Sequence, residues 1–180
     1  DVGIAKLPFF ATFLETLRAA GLIAAPFSGV RGNPTRPHVV EGVSVYQTHK
    51  ADSIVGLGGG AALDVAKAIA LMSSHGGDLF DYEDGKVGAR PIDGPIPPWV
   101  AIPTTAGTGS EVGRSTVISD ETTHVKKIVF SPRLLAKTVF ADPELTAGLP
   151  APITAATGMD ALTHCVEAFL AKDFHPICDG

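Results

Sequence analysis

Apolar residues recur at helical spacing from Ile4 to Ala20 and stop at Gly21, which predicts an opening helix closed by a glycine. Leu22 to Val30 reads as a short strand running into Gly and Asn-Pro turn chemistry, and Arg36 to Lys50 as a second helix. Ser53 to Leu57 is a compact apolar run that meets Gly58-Gly59-Gly60 directly, and Ala61 to Met72 carries the strong helix formers of a packed helix. That pattern is strand, glycine turn, helix. Trp99 to Ile102 is a second buried-strand candidate, leading into the small-residue loop Pro103 to Glu111. Val112 to Ser119 and Val125 to Phe130, split by Asp120-Glu121-Thr122-Thr123, predict a hairpin, and Thr138 to Ala141 one more strand. Strands alternating with helices make a mainly parallel α/β sheet of Rossmann-like type. From Pro150 onward no strand pattern recurs, and Ile153 to Ala171 reads as helix. Residues 1–148 are therefore expected to form an α/β domain and 149–180 the start of an all-helical one. Asp78 to Pro98, dense in Gly, Pro and charge, is expected to be an exposed connection.

With 180 residues, 45% of them hydrophobic, the chain can bury a real core, and disorder is excluded. A net charge of -5 without any lysine/arginine run argues against a nucleic-acid partner. No apolar run approaches membrane-spanning length, so no membrane is expected and a soluble protein follows. Two cysteines without C-x-x-C spacing make reduced thiols in a cytoplasmic protein the expectation. Cys165 and Cys178 are too few for a disulfide framework; Cys165 points off the face that carries His164 and reads as a small core residue. The chain opens on Asp1 and stops in mid-theme at His175 to Gly180, so it reads as a piece of a longer protein.

Four groups of residues bear on candidate chemistry. The triple glycine lets a ligand approach the backbone and leaves the first helical N–H groups free for an anion such as a pyrophosphate; equally, it permits a tight packing turn. Asp64 and Lys67, one helical turn further on, have a local ion pair as their plain reading, favoured for Lys67. Thr104, Thr105, Thr108 and Ser110 place four hydroxyls in seven residues after a buried strand, which favours a binding loop over a plain polar turn. Asp160 and His164, four residues apart, project from one face of a helix, either as half of a site for Fe or Zn or as a solvated pair.

Taken in order, Asn33-Pro34-Thr35, Gly58 to Lys67, Ile102 to Val112 and Ala156 to His164 resemble the iron-containing (group III) alcohol dehydrogenase family over essentially the whole chain. The resemblance implies an N-terminal dinucleotide-binding domain joined to an all-helical domain, with metal and substrate in the cleft between them. It implies that Gly59 and Gly60 contact the pyrophosphate, with Ala61 and Asp64 in the same cofactor-binding set. It also implies that Thr104, Thr105 and Thr108 line the nucleotide pocket with Asn33, Ser115 and Lys127. Asp160 and His164 become two of four metal ligands. The other two are histidines expected beyond Gly180, so neither His124 nor His175 is their equivalent, and His175 is expected at a surface or interface. Asp1 matches an acidic residue that ends a first strand, absent from this sequence, and accepts hydrogen bonds from the adenosine ribose. With no arginine neighbouring it, this favours NAD over NADP.

Two positions depart from the pattern: Ala61 stands where serine is usual, and Gly113 where threonine is common. The implied activity is hydride transfer between NAD(H) and a small alcohol or aldehyde, aided by Fe²⁺ or alternatively Zn²⁺, in a homo-oligomer of two or more copies. The 180-residue piece by itself is expected to be inactive. The rival enzymes are a zinc polyol dehydrogenase, a maleylacetate reductase and a dehydroquinate-synthase-like lyase. The Gly158 to His164 spacing favours the alcohol dehydrogenase branch. A rival of another kind is a nucleotide-binding fragment without catalysis.

Overall fold

Pro8 in the first turn of helix α1 (Pro8–Ala19) has no N–H to leave unpaired, and the chain leaves the helix through Gly21 at φ +81°. Helix α2 (Arg36–His49) starts at a capping box, in which the Thr35 N–H donates to His38 Nδ1 at 3.1 Å, and ends at Lys50 in the left-handed region. Strand β1 (Ile54–Gly58), helix α3 (Gly60–Met72) and strand β2 (Trp99–Pro103) form a parallel unit in which Ile54 pairs with Trp99 and Gly58 with Pro103. The hairpin β3 (Ser115–Ser119) and β4 (Lys126–Phe130) is antiparallel, and β5 (Thr138–Val139) joins β2 in parallel. Short α4 (Glu144–Ala147) leads to α5 (Ala151–Leu170). The protein, seen here as a computed structural model, is described over residues 1–172 and residue 176. His175 and Cys178, both considered above, lie outside the described residues.

Helix α3 is the axis of the fold. Every residue from Ala62 to Leu71 is buried, because the helix is covered on both sides. Toward the parallel sheet, Leu63 and Ala66 pack on Trp99 and Ala101. On the other side Val65, Ala68 and Ile69 join Val39 of α2 and Ile118 and Val129 of the hairpin. Trp99 is buried with its indole N–H donating to the Leu134 carbonyl at 2.9 Å, so the largest core side chain leaves no polar atom unpaired.

Three expectations are corrected. Residues 22–30 form no strand: a cleft of about 550 Å³ is lined by both this segment and β1, Ile23 is 86% exposed, and the Val2 N–H to Val30 carbonyl bond at 3.2 Å is not continued into a ladder. The segment from Asp78 to Pro98 is not wholly exposed, since the 3-10 turn Leu79–Tyr82 inserts Leu79, Phe80 and Tyr82 into the core. Cys165 is exposed and not a core residue, because no residue of α5 is buried among the described residues.

Candidate functional site

The C-terminal ends of β1 and β2 lie side by side, as parallel pairing requires, so the turn after one strand meets the loop after the other. Gly58, at φ +146°, adopts a backbone that favours glycine, and its carbonyl accepts the Thr104 N–H at 3.0 Å. A Cβ on Gly59 would stand 3.2 Å from Thr105 Cγ2, and one on Gly60 would stand 3.0 Å from Thr108 Cγ2. Glycine turn and threonine loop are thus two walls of one cradle. Helix geometry leaves the Gly60 and Ala61 N–H groups at the start of α3 without intrahelical acceptors. Thr105 Oγ1 is buried and has no partner among the described residues. An unpaired buried hydroxyl beside free helix N–H donors fits the phosphate oxygens of a dinucleotide.

Behind this cradle Lys67 and Asp64 form the ion pair read from the sequence, but deep in the core. Lys67 is 1% exposed and Asp64 8% exposed, with Nζ 3.3 Å from Oδ1. Lys67 also donates to the Ser115 carbonyl at 2.7 Å, while Asp64 Oδ2 accepts the Val117 N–H at 3.1 Å. Burial pushes the Asp64 carboxyl up and the Lys67 ammonium down, each opposed by the charge of the other. Asp64, expected in the cofactor set, faces the hairpin and fastens α3 to β3. Ser115, at the start of β3, takes part through its carbonyl.

Lys127 lies on the hairpin, and Asn33 in the turn that leads into α2. Lys127 pairs across the hairpin with Ile118, and its ammonium is taken up by Asp120 at 3.2 Å and Glu83 at 3.4 Å. The Thr122 hydroxyl and N–H hold the Asp120 carboxyl well below the usual carboxylate range, so this partner stays ionised. Asn33 is exposed and precedes Pro34, whose carbonyl accepts the Ser119 N–H at 2.8 Å.

Asp1 lies near Gly58, with its Oδ2 3.6 Å from where a Gly58 Cβ would be, and its Oδ1 accepts the Ile4 N–H at 2.8 Å. The expectation that no arginine neighbours Asp1 is corrected: Arg31 and Lys6 line the same cleft of about 430 Å³, together with Asp1 and Ala61. Folding back of residues 22–32 brings Arg31 there, which local sequence around Asp1 does not disclose.

Asp160 and His164 share one face of α5, with Oδ1 and Nε2 3.8 Å apart. That spacing is too long for a direct hydrogen bond, and it leaves an oxygen and a nitrogen donor converging from one helix. Among the described residues no cluster of three or more His, Cys, Asp or Glu surrounds a common point, so two donors are what the described chain offers a metal. The helix meets the cradle directly: His164 Nδ1 is 3.2 Å from the Gly107 carbonyl oxygen. Gly107 had no role in the sequence reading, and only its place in the threonine loop could have drawn attention to it. No helix among the described residues is long and apolar enough to cross a membrane.

The sequence profile of iron-containing alcohol dehydrogenases matches residues 1–143. The 1,3-propanediol dehydrogenase of Citrobacter freundii is 45% identical over 93% of this chain and 42% of its own length. The NAD-dependent methanol dehydrogenase of Bacillus methanolicus is 41% identical over 92% of the chain and 42% of its own length. The crystal structure of a 1,3-propanediol oxidoreductase superposes with a TM-score of 0.89 at 42% identity, covering 98% of this chain and 45% of that one. The chain thus spans less than half the length of the relatives it matches. Its glycine cradle, its parallel α/β core and the profile match agree, and the chain belongs to the iron-containing alcohol dehydrogenase family.

Proposed function

We propose that this chain is the cofactor-binding part of a metal-dependent dehydrogenase that exchanges hydride between NAD(H) and a small alcohol or aldehyde. The observation that carries the reading is the meeting of glycine turn, threonine loop and the Asp160/His164 helix at one end of the parallel sheet. In this reading the Gly60 and Ala61 N–H groups and the Thr105 hydroxyl hold the pyrophosphate, and Asp160 and His164 supply two metal ligands. When bound, metal and nicotinamide supply Lewis-acid polarisation of the substrate oxygen and a hydride acceptor or donor. The described residues orient these groups and leave the substrate pocket to further chain.

Helix α5 supports a domain break near residue 149. Its apolar positions Met159, Leu162, Val166 and Phe169 are exposed and form a stripe nearly opposite Asp160 and His164. Further helices of the whole protein would cover that stripe and bring the remaining ligands. The same reading carries a cytoplasmic homo-oligomer.

The full-length protein, supplied with Fe²⁺ or Zn²⁺, is expected to form NADH from small primary alcohols and diols. Undiminished turnover in chelator-stripped protein would overturn the metal-dependent reading in favour of a metal-free reductase. Thr105→Val keeps shape and removes the unpaired hydroxyl, so NAD affinity is expected to fall by about 0.5 to 1.5 kcal/mol at unchanged melting temperature. Calorimetric titration decides, and equal affinity would remove Thr105 from the cofactor contacts.

Cofactor choice should turn on the cleft beside Asp1. A carboxylate repels the 2'-phosphate of NADP, whereas Arg31 and Lys6 would attract it. Asp1→Gly is expected to move the NADP/NAD ratio of kcat/KM about tenfold or more toward NADP, equivalent to about 1.4 kcal/mol. Adding Arg31→Ala should reverse much of that gain, and an unchanged ratio in the single variant would show that the ribose lies elsewhere.

A further inference from the structure

We propose that the main-chain carbonyl of Gly107 sets the tautomer and orientation of His164, and so couples metal capture on α5 to cofactor capture by the threonine loop. The inference rests on the reading that His164 is a metal ligand. A carbonyl oxygen can only accept, so the 3.2 Å contact requires that Nδ1 carry the hydrogen. In the neutral ring Nε2 then holds the free lone pair, and Nε2 is the nitrogen that faces Asp160 Oδ1. Histidines that bind metals characteristically donate their other N–H to a carboxylate or carbonyl, which fixes the ring and raises its basicity.

The carbonyl reaches His164 because position 107 has no side chain. Gly107 adopts φ +142°, and a Cβ there would collide with the carbonyl oxygen of Thr157 on α5. Thr157 leaves its backbone open to this approach by turning its hydroxyl along its own helix, to the Ile153 carbonyl at 3.0 Å. Gly107 also stands between Thr105 and Thr108, the two side chains that touch Gly59 and Gly60. A dinucleotide that settles this loop therefore settles the acceptor for His164, and linkage makes the effect reciprocal.

The test uses the full-length protein. In metal-free protein at mildly alkaline pH, ¹⁵N NMR of histidine-labelled sample is expected to show the Nδ1–H tautomer for His164, assigned by its loss in His164→Gln. A dominant Nε2–H tautomer would overturn the proposal while leaving the metal reading standing. Chelator competition with Zn²⁺ is expected to show affinity raised about fivefold or more by saturating NAD, with NAD affinity raised equally by the metal. Gly107→Ala should lower Zn²⁺ affinity about 10- to 100-fold and abolish this coupling in protein that circular dichroism shows to be folded. Unchanged affinity and tautomer in that folded variant would refute the role of Gly107. Should the variant fail to fold, the wild-type tautomer and the NAD dependence of Zn²⁺ affinity decide the question. Failure of the wild type to hold Zn²⁺ at all, with the Nδ1–H tautomer present, would sink the metal reading and the coupling built on it.

Discussion

Replacing Lys67 with methionine is expected to lower stability by about 3 to 5 kcal/mol, the cost of leaving a buried charge without its partner. Lys67 is 1% exposed and its ammonium answers both Asp64 and the Ser115 carbonyl, so the substitution strands a carboxylate and an acceptor together. The loss should depend on pH in a definite direction. Burial already pushes the Asp64 carboxyl up, and removing Lys67 takes away the largest opposing effect. A carboxyl whose folded pKa lies above its unfolded value binds its proton more readily in the folded state. The penalty is therefore full above the folded pKa and fades as pH falls toward the unfolded value. Urea unfolding of variant and wild type should show a gap that narrows on mild acidification. Lys67→Met combined with Asp64→Asn should lose less than Lys67→Met alone, because both charges are gone and an amide oxygen still accepts the Val117 N–H. A single-variant loss under about 1 kcal/mol at neutral pH would show that water reaches the pair.

His164→Ala in the full-length protein is expected to remove bound metal and turnover together, by orders of magnitude, while NAD affinity falls only about fivefold, to that of the metal-free wild type. The separation follows from the geometry: His164 touches the cradle through one hydrogen bond to Gly107, whereas the glycine turn, the α3 N-terminus and Thr105 lie on the other elements. Loss of one of two donors on α5 removes half of what the described residues offer a metal. Metal analysis beside a fluorescence titration with NADH reads both quantities. Activity retained without metal would overturn the Lewis-acid role, and a collapse of NADH affinity would show that His164 supports the nucleotide loop more than the metal.

Much of the fold was legible because the signals are local. The Ile54–Gly58 strand, the glycine turn and α3 follow from an apolar run, a residue type that accepts unusual φ, and strong helix formers in immediate succession. The hairpin was equally clear, as two β-rich runs divided by turn residues. Residues 22–30 misled because a strand pattern states only what a segment can do; a strand also needs a ladder of backbone bonds, and the bond from the Val2 N–H to the Val30 carbonyl is not continued into one. The 3-10 turn at Leu79–Tyr82 was hidden by the Gly, Pro and charge around it, although its three apolar side chains fill the space between α2 and the hairpin.

For the site, the sequence by itself determined the parts: a glycine turn, a threonine loop and two donors one helical turn apart. Spacing along a chain cannot say which parts face inward. Tertiary structure alone decided that Asp64 and Lys67 are core framework, because α3 is covered on both sides. It also brought Arg31 beside Asp1, and it set Lys127 between two carboxylates at the hairpin. Above all, it joined Gly107 to His164 across 57 positions of sequence, a contact made by a backbone carbonyl. Every residue has such a carbonyl, so no residue type announces it; only the left-handed turn of the loop and the bare backbone of α5 determine where it points.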